Sequence, residues 1–384
     1  MRSLCRVIVF VSLLVAQPAR GEPASIAELA RELVDSADVY DEIRMARAVE
    51  SFVRVGEAAQ PQLVALTRHA NSNVRWKAVE ALESIDATSP SVWRALETCT
   101  EDADPDVRAQ AASAIARRYF ATRPGVVRLQ KLTKDDQDLV RSNAYWGLWK
   151  FERRPRALKF WISCLESSDW MVVECATKYL VAAGARSLPY LRAALQSTSK
   201  PRRLGAIRTL GSLAPISTSL LDVVAKELHS DGREVSAAAA EACANFGWLA
   251  APTLAEALSN EAPHVRVGAA RALGRVGPQR RTGLDFVALA LRRAIDDPVA
   301  AVRAEALKAF ARRRYMPAVA VRRIVNALQS KDPDERGQAL EAVEQATSRE
   351  LRTAVFEVVR AMAEGDAKSH LRTTARRWLE SATR

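Results

Sequence analysis

Four histidines, His69, His229, His264 and His370, are the side chains of this 384-residue chain best suited to binding a metal or moving a proton. No two lie four residues apart, and neither His-Glu-x-x-His nor Cys-x-x-Cys occurs. Local spacing therefore supports no zinc site. His69, His229 and His264 fall near expected turns, where solvent exposure is the ordinary explanation. Gly-x-Ser-x-Gly, a phosphate-binding glycine loop and a dinucleotide fingerprint are all missing. Gly274 and Gly277 read as helix C-terminal caps. Carboxylates are numerous, but no pair stands apart from those that cap turns. The expectation is a protein with no catalytic residue, cofactor or metal.

The segment Tyr145–Trp170 is richer. It holds Trp146, Trp149, Phe151, Phe160, Trp161 and Trp170 among Lys150, Arg153, Arg154, Arg156 and Lys159. Interleaved aromatic and cationic side chains can stack on and pair with an anionic ligand. The same residues can instead fill a locally larger core beside a charged loop. Both readings are open from the sequence.

The elements that must position these residues follow a repeat. An aliphatic residue, usually followed by arginine, precedes an alanine at +4 and a hydrophobic residue at +8. Clear copies are Val74-Arg75…Ala78…Leu82, Val107-Arg108…Ala111…Ile115 and Val265-Arg266…Ala269…Leu273. Ten copies occur at spacings of 30 to 37 residues; the alanine is present in all ten and the arginine in eight. Positions 0, +4 and +8 share one helical face. Asp104-Pro105 and Asp332-Pro333 supply a capping carboxylate and a proline at the first helical position, with Asn71 and Asp231 placed similarly. A second apolar helical run precedes each phrase, as in Leu188–Leu195 and Val319–Leu328. A period of this size means stacked two-helix units.

The form Asp-Pro-x-Val-Arg-x-x-Ala-x-x-Ala-Leu, carried by Asp104–Arg108 and Asp332–Arg336, resembles HEAT repeats, particularly the short HEAT-like repeats first named from phycobilisome lyases. The resemblance implies an all-α, right-handed α-solenoid of about ten two-helix repeats over residues 60–384. Residues 22–59 are expected to form an N-terminal helical cap, with Ile43-Arg44 as a degenerate copy that carries Arg47 in place of alanine. It implies a non-catalytic scaffold that binds a protein. Two other roles come with the resemblance: a HEAT-like DNA glycosylase for alkylated bases, and a lyase or lyase accessory for tetrapyrrole attachment. The iron-binding deoxyhypusine hydroxylases of this fold carry repeated His-Glu pairs; this sequence has no His-Glu dipeptide.

The phrase predicts a binding strip. Position +6 lies opposite the buried face, with +10 beside it, and the resemblance puts this helix on the concave side of the solenoid. The +6 row reads Glu80, Ser113, Trp146, Lys178, Arg208, Glu241, Arg271, Lys308, Glu341 and Arg377, and the +10 row adds Arg117, Lys150, Arg275 and Arg312. The candidate contacts among them are Trp146, Lys150, Lys178, Arg208, Arg271, Arg275, Lys308 and Arg312, with Trp149 nearby. Such a ladder suits an extended acidic protein partner; equally, surface helix positions are simply rich in Lys and Arg. The phrase arginines, Arg75, Arg108, Arg141, Arg203, Arg266, Arg303, Arg336 and Arg372, are assigned to fold maintenance, reaching turn carboxylates of their own or the next unit.

Residues 1–21 read as a secretory signal peptide: Arg2 and Arg6, then the apolar run Val7–Ala16, then Ala19-Arg20-Gly21. Export to the periplasm or medium is expected, with no membrane-spanning segment left after processing. The formal charge is +12, which favours acidic partners; export argues against chromosomal DNA. A monomer is expected. Cys99, Cys164, Cys175 and Cys243 would remain after processing and read as free cysteines, although Cys164 and Cys175 lie on successive helices.

Overall fold

A computed structural model describes residues 25–85, 88–216, 218–276, 286–312, 316–346 and 349–382. The expected signal peptide and Gly277 lie outside the described residues. Among those described there is no strand. The described helices form two compact units, one ending at Asp135 and one beginning at Asp136.

The first unit contains α1 (Ile26–Asp38), α2 (Glu42–Val55), α3 (Gln60–Leu66), α4 (Ser72–Ser84), α5 (Pro90–Cys99), α6 (Pro105–Arg118) and α7 (Arg123–Leu132). The second begins with α8 (Asp138–Glu152), α9 (Pro155–Cys164), α10 (Trp170–Ala183), α11 (Leu188–Leu195), α12 (Lys200–Ser212), α13 (Leu221–Lys226), α14 (Arg233–Asn245) and α15 (Ala251–Ala257). It continues with α16 (Pro263–Leu273), α17 (Phe286–Ala294), α18 (Ala300–Ala311), α19 (Ala318–Leu328), α20 (Pro333–Glu344), α21 (Arg349–Gly365) and α22 (Ser369–Ala382). Even-numbered helices from α4 onward carry the repeated phrase. Within a unit, each packs on the preceding odd-numbered helix; α4 also packs on α6, and the series α10 to α22 packs in order. The architecture is an all-α solenoid.

Local chemistry starts these helices. The side chains of Asn71, Asp104, Asp169 and Asp332 accept hydrogen bonds from backbone N–H groups of the first turn, and Pro105 and Pro333 occupy its opening positions. Asp231 stands one residue too early for this role: Gly232 is the residue before α14, and no side chain caps it.

The phrase helices are buried on more than one side. The +4 alanine is at most 1% exposed in all ten copies. Position +9 is buried in six copies as well, as with Ala116, Ala244 and Ala311, where it meets the neighbouring phrase helix. A side chain on Gly274 would begin 2.9 Å from Cα of Ala309, and one on Gly211 3.0 Å from Cα of Ala242. Gly274 does follow the last residue of α16, but with φ −64° it is in right-handed helical conformation. Its smallness serves helix approach, not a left-handed cap. What remains outside is a narrow strip at +6 and +10.

Two registers differ from expectation. Ile43 is 68% exposed, while Met45, Val49 and Phe52 are buried. With Asp41 as the cap, the phrase of α2 starts at Arg44, one residue later than the sequence suggested, with buried Ala48 at +4 and Phe52 at +8. In α8 the buried side chain is Trp149, and Leu148 is only half-buried. Trp149 meets Trp161 edge-on with ring centroids 6.1 Å apart, which draws that turn of the helix inward.

Candidate protein-binding surface

The phrase arginines define what the surface is not. Arg266 places Nε and Nη2 on the two carboxylate oxygens of Asp297, at 2.8 and 3.0 Å. Its Nη1 donates to the carbonyls of Asn260 and Glu261, at 2.8 and 2.9 Å. One guanidinium thus ties the turn before its own helix to the turn of the next repeat. Arg75 does the same with Asp102, His69 and Ala70. Arg108 does so with Asp135, Asp102 and Ala103, and Arg336 with Asp366, Ser330 and Lys331. The planar fork suits such bidentate pairing.

The receiving carboxylate always lies five residues before the next phrase. There it also accepts a backbone N–H two residues on, as Asp102 does from Asp104, Asp297 from Val299 and Asp366 from Lys368. Burial pushes the Asp102 and Asp297 carboxyls up, but the arginine and backbone hydrogen bonds outweigh it and hold both below the usual value. For Asp366 the Arg336 hydrogen bond is the largest influence, with the same result.

Where that position is serine, the clamp weakens. Arg203 binds the carbonyls of Ser197 and Thr198 but stands 4.0 Å from Glu227. Arg303 binds the carbonyls of Asp297 and Pro298 and stands 3.6 Å from Glu335. Arg141 pairs with Asp138 on its own helix, and Arg372 donates to the Asp366 carbonyl at 2.5 Å.

The strip itself is mixed. Arg271 pairs with Glu305 at 3.1 Å, and Lys308 with Glu341 at 2.5 Å. Their charges are used between repeats. Lys178 and Arg208 are exposed and have no carboxylate in ion-pair range among the described residues. Arg275 donates to the side-chain oxygen of Asn245 at 3.2 Å, and Arg312 to that of Gln345 at 2.9 Å. Both partners are neutral amides, so both guanidiniums keep their full charge. Lys150 is half-buried.

The aromatic segment is mostly core. Trp161 is fully buried and Trp149 is 3% exposed, so Trp149 cannot meet a ligand in this fold. Trp146 is half-buried and lies flat on Tyr179, with ring centroids 4.8 Å apart and planes 8° from parallel. Tyr179 is fixed in turn by donating its hydroxyl proton to Asn143 at 2.5 Å. Trp170 and Phe151 are exposed.

The remaining reactive groups are structural. Glu83 occupies the buried +9 position of α4, where five other repeats carry alanine or glycine. It accepts from Gln110 at 2.6 Å and Ser113 at 3.0 Å, and pairs with Arg117 at 2.8 Å. Burial raises its carboxyl despite these partners. Among the described residues the four cysteines, Cys99, Cys164, Cys175 and Cys243, are free thiols. Burial pushes Cys99 and Cys175 up to about 11 and Cys164 and Cys243 to about 12, which keeps them protonated and unreactive at neutral pH. Among the described residues no group of His, Cys, Asp and Glu could hold a metal, and no helix is long and apolar enough to cross a membrane.

Sequence reasoning expected turn carboxylates as the arginines' partners but did not single out the receiving column, although Asp102, Asp135, Asp297 and Asp366 share one phase. It also missed a connector. Gly56, Gly184 and Gly247 each follow a phrase helix with φ between 62° and 73° and precede a proline by five residues. Only glycine takes that backbone without strain, and the Gly-x-x-x-x-Pro spacing was a readable signal.

The profile of HEAT repeats matches residues 26–116, 126–211 and 221–311. The chain belongs to the HEAT repeat family. That match starts within the region expected to be a cap. Among solved structures the chain resembles Kap95p, seen with RanGDP, at 15% identity and a TM-score of 0.55 over 93% of this chain and 56% of that one. Kap95 in its complex with Nup1 gives 14% identity and a TM-score of 0.53 over the same shares. A HEAT-like repeat protein of Thermococcus onnurineus NA1 aligns at 15% identity and a TM-score of 0.40, over 60% of this chain and 98% of that one. The chain spans little more than half the length of the Kap95 chains, and the likeness is one of fold. No curated protein matches.

Proposed function

We propose that the chain is an exported, non-catalytic HEAT-repeat scaffold that binds an acidic protein segment along the phrase-helix strip of its second unit. The observation that carries this reading is the set of exposed cations, Lys178, Arg208, Arg275 and Arg312, none of which has a carboxylate partner among the described residues. Neighbouring Arg271 and Lys308 are already paired, so the strip is not uniformly basic; it offers charge at spaced points. Spaced points on successive repeats suit an extended segment better than a compact anion. The Kap95 structures, a HEAT-type solenoid seen with RanGDP and with Nup1, support a protein as the partner. Nucleic acid is the poorer fit, since burial of Trp149 and Trp161 removes stacking platforms and Tyr179 already covers one face of Trp146.

Poly-glutamate binding to the purified chain tests the reading. Lys178→Glu with Arg208→Glu should weaken binding about tenfold, as expected for two exposed charge contacts of roughly 0.2–1 kcal/mol each turned repulsive. Thermal stability should not change, because neither residue holds a structural pair. Unchanged binding would remove the strip from consideration. Export is tested by cell fractionation with mass spectrometry of the N-terminus: a chain beginning at Glu22 outside the cytoplasm supports it, and a cytoplasmic chain that keeps residues 1–21 refutes it.

A further inference from the structure

The turn between α1 and α2 displays three large apolar side chains. Val39, Tyr40 and Ile43 are 70%, 43% and 68% exposed. Tyr40 has φ 53°, in the left-handed region that bulky residues seldom occupy. The form is locked, since the N–H groups of Tyr40 and Asp41 donate to the carbonyls of Ala37 and Ser36 at 3.3 and 2.8 Å. A tyrosine held outward at a backbone cost, between two other exposed apolar groups, marks an interaction site.

Charge says what it meets. Asp35 and Asp38 are exposed beside the turn, and Arg44, the nearest cation, is committed to Glu32 at 2.8 Å. Residues 26–60 hold 8 acidic against 4 basic side chains, whereas residues 136–384 hold 39 basic against 27 acidic. Every excess positive charge of the folded part therefore lies in the second unit. That unit also exposes apolar groups at the ends of its phrase helices. Trp248 and Leu249 are 58% and 42% exposed in the connector after α14, and Ile216 lies 3.7 Å from where a Gly184 side chain would begin, at the end of α10. Lys178 is carried by α10 and Arg208 by α12.

The geometry points to a head-to-tail contact between two copies of this chain, the acidic apolar turn Val39–Ile43 of one copy seated on the Lys178–Arg208 region of the other. This replaces the monomer expected from the sequence, which does not mark these apolar residues as exposed. It rests on the strip being a receptor for acidic segments. The two contacting surfaces differ, so the contact is heterologous and leaves a free turn and a free strip on every dimer.

Sedimentation velocity on the purified chain tests it. In about 0.05 M salt the average mass should rise with concentration past that of a dimer; in about 0.5 M salt it should fall to the 42.1 kDa of one chain. Tyr40→Gly with Ile43→Lys should abolish association, and glycine relieves the backbone at position 40, so misfolding does not explain the loss. Lys178→Glu with Arg208→Glu should abolish it from the other side. An equimolar mixture of the two variants should form dimers and nothing larger, because only one complementary pair of surfaces survives. A monomer under all conditions, or association that either double variant leaves intact, overturns the proposal. Poly-glutamate separates the two ideas. A monomeric parent whose poly-glutamate binding is lost in Lys178→Glu/Arg208→Glu keeps the receptor strip and ends the self-association. Poly-glutamate binding that survives those reversals ends both.

Discussion

Arg266→Ala is the sharpest test of how the repeats are held together. The side chains of Arg266 and Asp297 are 11% and 10% exposed, and the guanidinium makes four hydrogen bonds, two to the carboxylate and two to carbonyls of the preceding turn. Removing it leaves Asp297 almost buried, with its backbone bond from Val299 as the remaining polar contact. Breaking a buried pair from one side costs about 3–5 kcal/mol; the residual exposure of both groups places this case near 3 kcal/mol. Arg266→Lys keeps the charge but loses the bidentate fork, and should cost roughly 1–2 kcal/mol. Solenoid stability is a sum of neighbour interactions, so the loss should be local. Amide hydrogen exchange, read helix by helix, is the assay. Protection should fall in α16 and α18 and stay unchanged in α4 and α6 of the first unit. A loss under about 0.5 kcal/mol would mean that the clamp is ornamental. A uniform loss across the chain would refute nearest-neighbour stacking.

The clamps also predict a pH response. Asp102, Asp297 and Asp366 have folded-state values below the ordinary 3.8, so their contribution is present above about pH 4 and is lost as pH falls through the folded values. Glu83 runs the other way: its folded value is raised above 4.5, so it favours the folded state at low pH and that contribution is lost as pH rises through the folded value. Urea titrations at pH 3, 5 and 7 should show Glu83→Gln flattening the near-neutral part of the profile while leaving the acid loss, and an unchanged profile would count against the buried position of Glu83. Gly274→Ala should cost about 1–3 kcal/mol, because its new methyl meets Ala309 backbone at 2.9 Å. Gly365→Ala, which meets nothing within 4 Å, should be neutral or stabilising by about 0.5–1 kcal/mol; equal thermal shifts in the two variants would refute the close-approach account. Trp149→Ala should cost about 3–5 kcal/mol through the lost core contact without altering poly-glutamate affinity measured well below unfolding. An affinity loss with little change in stability would put Trp149 back on the surface.

The sequence by itself determined everything that depends on helical phase. Recurrence of alanine at +4 identified the buried face, since a small residue repeated at one phase means a close neighbour on that side. Asp104-Pro105 and Asp332-Pro333 marked helix starts because capping is settled within four residues of chain. The all-α solenoid and its family followed from these alone. Tertiary structure decided whatever depends on a neighbour some thirty residues away. Lys178 and Arg208 are free while Arg271 and Lys308 are paired, yet all four share the +6 position. Arg271 and Lys308 reach Glu305 and Glu341 of the next repeat, whereas Lys178 has Arg208 at the same phase of its next repeat and Arg208 makes no ion pair with Glu241. Trp149 was placed beside the strip from its spacing, but its packing on Trp161 draws it into the core. Ile43 looked like the opening of a repeat, and the Asp41 cap with the burial of Ala48 and Phe52 moved that opening by one residue. A helix has one period but several sides, and which side meets solvent is settled by the helices stacked against it.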